Sequence, residues 1–117
     1  MALRDALKKL RMSTDEIDRE KRLERQAAVG CTPIDEAVDR QVVELFGQVQ
    51  SVRIVPRAGA PAIDVTIDDG HGLALAMFFG RRSIPGVHAG SALKVKGRCS
   101  MRSGRLTLIN PEYELVD

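Results

Sequence analysis

Apolar and polar residues alternate at every second position through most of the chain from Arg40 onward. A period of two is typical of strands that bury one face and expose the other. The pattern predicts five strands, near residues 41–56, 61–68, 73–80, 91–102 and 105–115. The side chains predicted to face the core are Val43, Leu45, Gly47 and Val49 in the first strand, Ile63, Val65 and Ile67 in the second, Leu73, Leu75, Met77 and Phe79 in the third, Leu93, Val95 and Gly97 in the fourth, and Leu106 and Leu108 in the fifth.

The residues between these strands predict short connections. Asp69-Gly70 and Ser103-Gly104 each predict a tight turn between two antiparallel strands. Residues 81–90 contain one Pro and two Gly, which leave room for about one helical turn. Gly47 and Gly97 lie inside long strands, where a small closed sheet has to bend. The fold class predicted is therefore all-β, a five-stranded antiparallel OB-fold barrel of Greek key topology.

The N-terminal part of the chain has a different pattern. Residues 1–29 lack Gly and Pro, and Leu3, Leu7 and Leu10 share one helical face. A capping box over residues 13–16 divides this part into predicted helices near 2–11 and 14–28. Pro33 predicts the first position of a further short helix that ends near Asp39. We therefore expect a charged helical extension over residues 1–30 and an OB-fold domain over residues 31–117.

Two interpretations of the extension remain open at this point. It is either a solvated helix partly docked on the domain, or a surface for self-association or for a protein partner. Its apolar stripe is narrow and fades after Ile17.

The charge and composition exclude several functional classes. The net charge of the 117 residues is +2, but residues 40–117 hold ten Lys and Arg against seven Asp and Glu. Any attraction for a polyanion therefore belongs to the strands. No apolar run approaches the roughly 18 residues that cross a bilayer, and the N-terminus has no apolar signal region. We expect a cytoplasmic protein that does not bind membranes.

The sequence offers no site for a metal, a cofactor or catalysis. Cys31, Cys99, His71 and His88 are too scattered to form a four-ligand zinc site. The clustered acids of the strand region are Asp64, Asp68 and Asp69, and Asp68-Asp69-Gly70 is better explained by turn chemistry than by catalysis. The two distant thiols fit a reducing compartment. We predict a non-catalytic protein without a cofactor.

Several motifs resemble a known family. Asp69-Gly70-His71-Gly72 resembles the D-G-T-G turn of nucleic-acid-binding OB-folds. Phe78-Phe79, Ile84-Pro85-Gly86, Ala89-Gly90, Val95-Lys96-Gly97 and the run Asn110-Pro111-Glu112-Tyr113-Glu114 resemble the wedge domain of the RecG branched-DNA helicase. Residues 32–116 as a whole are similar to small stand-alone bacterial OB-fold proteins. The resemblance implies a nucleic-acid-binding protein.

Candidate binding residues follow from the way OB-folds hold single strands, by stacking bases on aromatic rings and by contacting phosphates with Lys and Arg. Phe78 lies beside Ala74 and Ala76, and the small neighbours would leave its ring as a shelf for a base. The predicted site consists of Phe46, Phe78, Arg81, Arg82, Lys94, Lys96 and Arg98. We expect weak, sequence-tolerant binding of single-stranded or branched DNA, with RNA as a further candidate ligand.

Other roles for the same residues stay open. The basic residues of strand four would also fit a solvent-exposed face whose charges discourage pairing with strands of other chains. Phe46 and Phe78 would equally well pack under the N-terminal helices. Arg81-Arg82 would reach Asp68-Asp69 as ion pairs, and Tyr113 would fix the last strand by a hydrogen bond. The alternative function is a protein-interaction adaptor that uses the barrel and the N-terminal helices.

Overall fold

The computed structural model describes Arg22 and residues 28–116. The helices predicted near 2–11 and 14–28 fall almost wholly outside these residues, so the extension and its boundary at residue 30 stay predictions. The predicted helix after Thr32 is a single turn of 3₁₀ helix, Ile34–Glu36, and Pro33 lies just before it. The strands are β1 Val42–Ile54, β2 Ala62–Asp68, β3 Leu73–Phe79, β4 Ala92–Arg102, β5 Arg105–Ile109 and β6 Glu112–Val116.

The predicted fifth strand is divided in two. Asn110 has φ +48 and is followed by Pro111, and this pair of residues separates β5 from β6. Pro cannot donate a ladder hydrogen bond, so the chain changes partner here. β5 pairs with β3 and β4, whereas β6 pairs with β4 further along.

The six strands form one sheet in the order β1-β2-β3-β5-β4-β6, and an additional β1–β4 pairing joins its two sides. β1 is long enough to pair with two strands. Its first part, from Val42 to Gln48, pairs with β4, and its second part, from Gln48 to Ile54, pairs with β2. The β3–β5 pair is parallel, which corrects the prediction of a wholly antiparallel sheet. The other pairs are antiparallel.

The inward faces of four strands agree with the predicted alternation. Val43, Leu45 and Val49 of β1 are at most 2% exposed, and the predicted inward residues of β2, β4 and β5 join them in one cluster, which includes Ile63, Val65, Ile67, Leu93, Val95, Leu106 and Leu108. Ile84 from the connection 80–91 belongs to the same cluster.

β3 has the opposite phase to the one predicted. Ala74, Ala76 and Phe78 face the core cluster, and the side chains of Leu75 and Met77 lie outside it. Ala74 pairs with Ile67 on one side and Leu106 on the other, so large neighbours fill the interior and leave room only for a methyl group. Both phases of β3 are apolar, and its neighbours decide which phase points inward.

The β2–β3 turn follows the prediction from Asp69-Gly70 and uses both aspartates. Asp68 Oδ1 accepts from the N–H of Gly70 at 2.8 Å, and Asp69 Oδ1 accepts from the N–H groups of His71 and Gly72 at 2.8 and 3.0 Å. Asp69 Oδ2 accepts from the N–H of Ile34 at 2.8 Å. The turn therefore also anchors the 3₁₀ helix, and its aspartates are structural.

Candidate nucleic-acid interface

The basic residues of β4 share one outward face, as predicted. Lys94 is half-buried and Lys96 and Arg98 are exposed, while Leu93, Val95 and Cys99 on the opposite phase of the strand are buried. We call this surface the β1–β4–β6 face. Its charged side chains are Lys94, Lys96 and Arg98 together with Glu44, Glu112 and Glu114.

The acids on this face offset the lysines. Lys96 has Glu44 as its register partner on β1 and Glu112 on β6, and Lys94 lies opposite Glu114. Opposite charges in register attract each other across a sheet, so three basic and three acidic groups leave little net field for a phosphate.

Cys31 lies close to the same face. Burial raises the pKa of its thiol above the ordinary 9.0; Lys94 lowers this pKa and Glu44 raises it by smaller amounts. The two opposing influences on one thiol again reflect the mixed charge of the surface.

Phe46 is half-buried and belongs to the edge of the β1–β4–β6 face, where its register partner is Lys94. Its ring borders a pocket of about 210 Å³ whose other walls are Gly47, Gln48, Asp68, Asp69 and Ala92. Whether Phe46 contacts nucleic acid stays a prediction.

The prediction of an exposed Phe78 shelf is wrong. Phe78 is 3% exposed and belongs to the core, where its ring meets that of Tyr113 edge to face. Arg81 donates from Nη1 to the hydroxyl of Tyr113 at 3.2 Å, and its guanidinium carbon lies 5.7 Å from the ring centroid. The alternative role of Tyr113 as an anchor is therefore confirmed. Arg81 faces β6, and the carboxylates of Asp68 and Asp69, its alternative partners, accept hydrogen bonds within their own turn.

A second surface is formed by the outward side chains of three strands. We call it the β2–β3–β5 face. Register places Asp64, Met77 and Ile109 in one row, and Thr66, Leu75 and Thr107 in the next. Ala62, Leu73 and Phe79 complete it. Leu73, Phe79 and Ile109 are 48, 37 and 39% exposed.

Arginines flank this face on two sides. Arg102 and Arg105 are register partners beside the Ser103-Gly104 turn, and both are exposed. Arg53 of β1 is the register partner of Asp64 of β2 and is also exposed. Arg57 from the β1–β2 loop instead forms an ion pair with Asp64, with 2.7 Å between Nη2 and Oδ2.

The sequence carried a signal for this second face that our site prediction did not use. Leu73, Leu75, Met77 and Phe79 form a full apolar phase of β3, and two arginines flank the Ser103-Gly104 turn. Once the other phase is assigned to the core, these residues are left on the outside.

Residues 43–116 match the family described as OB-fold nucleic acid binding domain, tRNA_anti-codon. The chain belongs to this family. No curated protein matches the chain. Membership of the OB-fold family supports nucleic-acid binding in general and a role without catalysis. Among the residues that the structure describes, no three metal-ligating side chains come together, and no helix could cross a membrane.

The position at which OB-folds usually bind their ligands distinguishes the two faces. OB-folds bind oligonucleotides on the outside of strands two and three, between the loops that join strands one to two and four to five. In this OB-fold domain these parts are β2, β3, residues 55–61 and the Ser103-Gly104 turn. The β2–β3–β5 face occupies that position, and the β1–β4–β6 face lies on other strands.

Proposed function

We propose that this protein binds nucleic acid without catalysis, on the β2–β3–β5 face of a closed OB-fold barrel. Single-stranded or branched DNA is the proposed ligand, with RNA as a second one. The observation that carries the proposal is the exposed ring of Phe79 on a face whose flanking residues Arg53, Arg102 and Arg105 outnumber the nearby acids. A ring beside unbalanced arginines supplies both stacking and phosphate contacts.

Arg81 and Arg82 add two basic residues after the end of β3. They follow Phe79 after a single glycine and are both exposed. Arg81 already donates to Tyr113, so its guanidinium has a fixed position and several remaining N–H groups. We retain Arg82 in the proposed site, and we place Arg81, which bonds to Tyr113 of β6, with Lys94, Lys96, Arg98 and Phe46 in a second, weaker candidate site.

The number of groups limits the affinity. One stacked base contributes about 1–3 kcal/mol. Three to five phosphate contacts give a salt slope of roughly −2 to −3.5 for a single strand. The binding is therefore sequence-tolerant, strongly weakened by salt, and micromolar or poorer.

Two matched double variants test which face binds. Arg102→Gln with Arg105→Gln removes two positive charges from the proposed site, and Lys94→Gln with Lys96→Gln removes two from the β1–β4–β6 face. Fluorescence anisotropy with a labelled oligonucleotide at several salt concentrations measures affinity and salt slope. We expect the arginine pair to weaken binding and to flatten the slope by about 1.4, because two phosphate contacts are lost. The lysine pair should leave the slope unchanged.

The opposite result, a flattened slope for the lysine pair alone, would move the site to the β1–β4–β6 face. Folded protein that binds no oligonucleotide at low salt would refute nucleic-acid binding. The adaptor function would then be favoured, because Leu73, Phe79 and Ile109 offer an apolar surface to a protein partner.

A further inference from the structure

The second half of β1 is an open edge of the sheet. β4 is in register with β1 only as far as Gln48, and Gly90 and Ser91 bond to Val49 just beyond it. The rest of β1, up to Ile54, has β2 on one side, and no described residue pairs with it on the other. A strand edge of this kind offers backbone donors and acceptors to another strand.

The hydrogen bonds of the β1–β2 hairpin show which groups face this edge. The N–H of Val55 donates to the carbonyl of Ala62 at 2.9 Å, so Val55 directs its backbone groups toward β2. Successive residues of a strand direct these groups to opposite sides, and Val52 and Ile54 therefore point theirs away from β2. Pro56 is next in this series and presents only a carbonyl, which is usual for Pro in an edge strand.

The corresponding stretch of β4 is capped, whereas the β1 edge is not. Beyond the β1–β4 register, the N–H of Met101 donates to Asp39 Oδ1 at 2.9 Å. The described part of the chain supplies no such cap to the β1 edge, where Val52 and Ile54 are 37 and 62% exposed. An uncapped edge with apolar side chains favours pairing with a further strand.

We propose that a second copy of this chain pairs with the β1 edge, antiparallel, about a two-fold axis at Ile54. Each Ile54 exchanges both of its backbone hydrogen bonds with the Ile54 opposite, and each Val52 donates its N–H to the carbonyl of Pro56 opposite. The side chains that meet are all apolar, so the edge is complementary to itself. Arg53 lies opposite Val55 of the second copy, so no like charges face each other.

The two neighbouring registers are unfavourable. An axis at Arg53 would place this residue directly opposite its own copy, and like charges in that position destabilise a strand pair. An axis at Val52 would bring Val55 of the second copy against residues 90–91, which already bond to this strand. The axis at Ile54 avoids both conflicts.

The pairing has a consequence for nucleic acid, and this consequence alone rests on the proposed function. A two-fold axis perpendicular to a sheet exchanges the strands but not the two sides of the sheet. Both β2–β3–β5 faces therefore lie on the same side of the joined sheets. An oligonucleotide long enough to reach both faces should bind more tightly than one confined to a single face.

Cysteine cross-linking of the full-length chain tests the pairing without nucleic acid. In a Cys31→Ser background, the remaining Cys99 is buried. Ile54→Cys places two thiols at the axis, where the Cα atoms of a hydrogen-bonded pair lie about 5.5 Å apart, within reach of a disulfide. Val52→Cys is the matched control, because its two Cα atoms would lie about 14 Å apart in this register. Under a mild oxidant, Ile54→Cys should form linked dimers roughly tenfold faster than Val52→Cys or more.

Translational diffusion measured by NMR tests the association itself. The strand pair is smaller than the roughly 1,200 Å² of stable complexes, so the titration extends to about 1 mM protein. Ile54→Lys places like charges at the axis and should abolish the dimer. Val42→Lys is the control, because Val42 is 53% exposed but already pairs with β4, and it should leave the dimer unchanged.

Several results would overturn the pairing. These are a chain that stays monomeric over the whole titration, equal cross-linking rates for the two cysteine variants, and lysine variants that both keep or both lose the dimer. Thermal unfolding establishes that each variant is folded. A dimer with these properties that shows no gain for a longer oligonucleotide would leave the pairing intact and refute the proposed nucleic-acid face.

Discussion

The ring of Phe78 packs edge to face on the ring of Tyr113, with 5.6 Å between the ring centroids and 85° between the planes. The contact joins β3 to β6, which are not neighbours in the sheet. Arg81 adds a hydrogen bond to the hydroxyl of Tyr113. Phe78 therefore stabilises the fold, whereas the adjacent Phe79 is 37% exposed.

The two adjacent phenylalanines should differ sharply when truncated. Phe78→Ala removes a core side chain and its contact with Tyr113, and should lower the free energy of unfolding by about 3–5 kcal/mol. Phe79→Ala removes a ring that is 37% exposed and should cost much less, while weakening oligonucleotide binding. Urea unfolding and anisotropy measure the two effects. Equal losses of stability would contradict the assignment of phases in β3.

Gly47 should be irreplaceable where β1 passes from β4 to β2. A Cβ at this position would lie 2.6 Å from the backbone oxygen of Asp68, so Gly47→Ala should destabilise the fold by about 1–3 kcal/mol or prevent folding. Gly97→Ala is the matched control, because its Cβ would meet Pro111 at an ordinary 3.5 Å. Its stability should stay within about 1 kcal/mol of the parent. Thermal or urea unfolding compares them, and a tolerated Gly47→Ala would refute the close approach.

Cys31 should react slowly with thiol reagents at neutral pH. Burial raises the pKa of its thiol above 9.0, and the thiolate is the reactive form. The alkylation rate of Cys31, followed by peptide mass spectrometry, should keep rising as the pH passes 9.0. Cys99 is fully buried and serves as a slow internal reference. A rate that levels off below pH 9.0 would contradict the raised pKa.

Two charge variants test the direction in which neighbouring charges shift the pKa of Cys31. The positive charge of Lys94 favours the thiolate, so Lys94→Gln should move the pH profile of Cys31 to higher pH. Glu44 disfavours the thiolate, so Glu44→Gln should move the profile to lower pH. Shifts in the same direction for both would show that Cys31 does not sense the charges of the β1–β4–β6 face.

The candidate site was less predictable than the fold. The alternation in β4 correctly grouped Lys94, Lys96 and Arg98 on one face. It could not show that Glu44, Glu112 and Glu114 come into register with them, because β1 and β6 lie far from β4 in sequence. Lysines that looked free in the sequence are thus offset by acids from both neighbouring strands.

The sequence by itself determined the positions of the first four strands, the inward phase of β1, β2, β4 and β5, and the turns at Asp69 and Ser103, because these depend on local alternation and turn chemistry. It did not show that the predicted fifth strand divides into β5 and β6, which pair with different strands. Only the tertiary structure decided the phase of β3. Ala74, Ala76 and Phe78 compete with Leu75, Met77 and Phe79 for the interior, and both sets are apolar. The space left between Ile67 and Leu106 admits Ala74, and this choice places Phe79 on the surface.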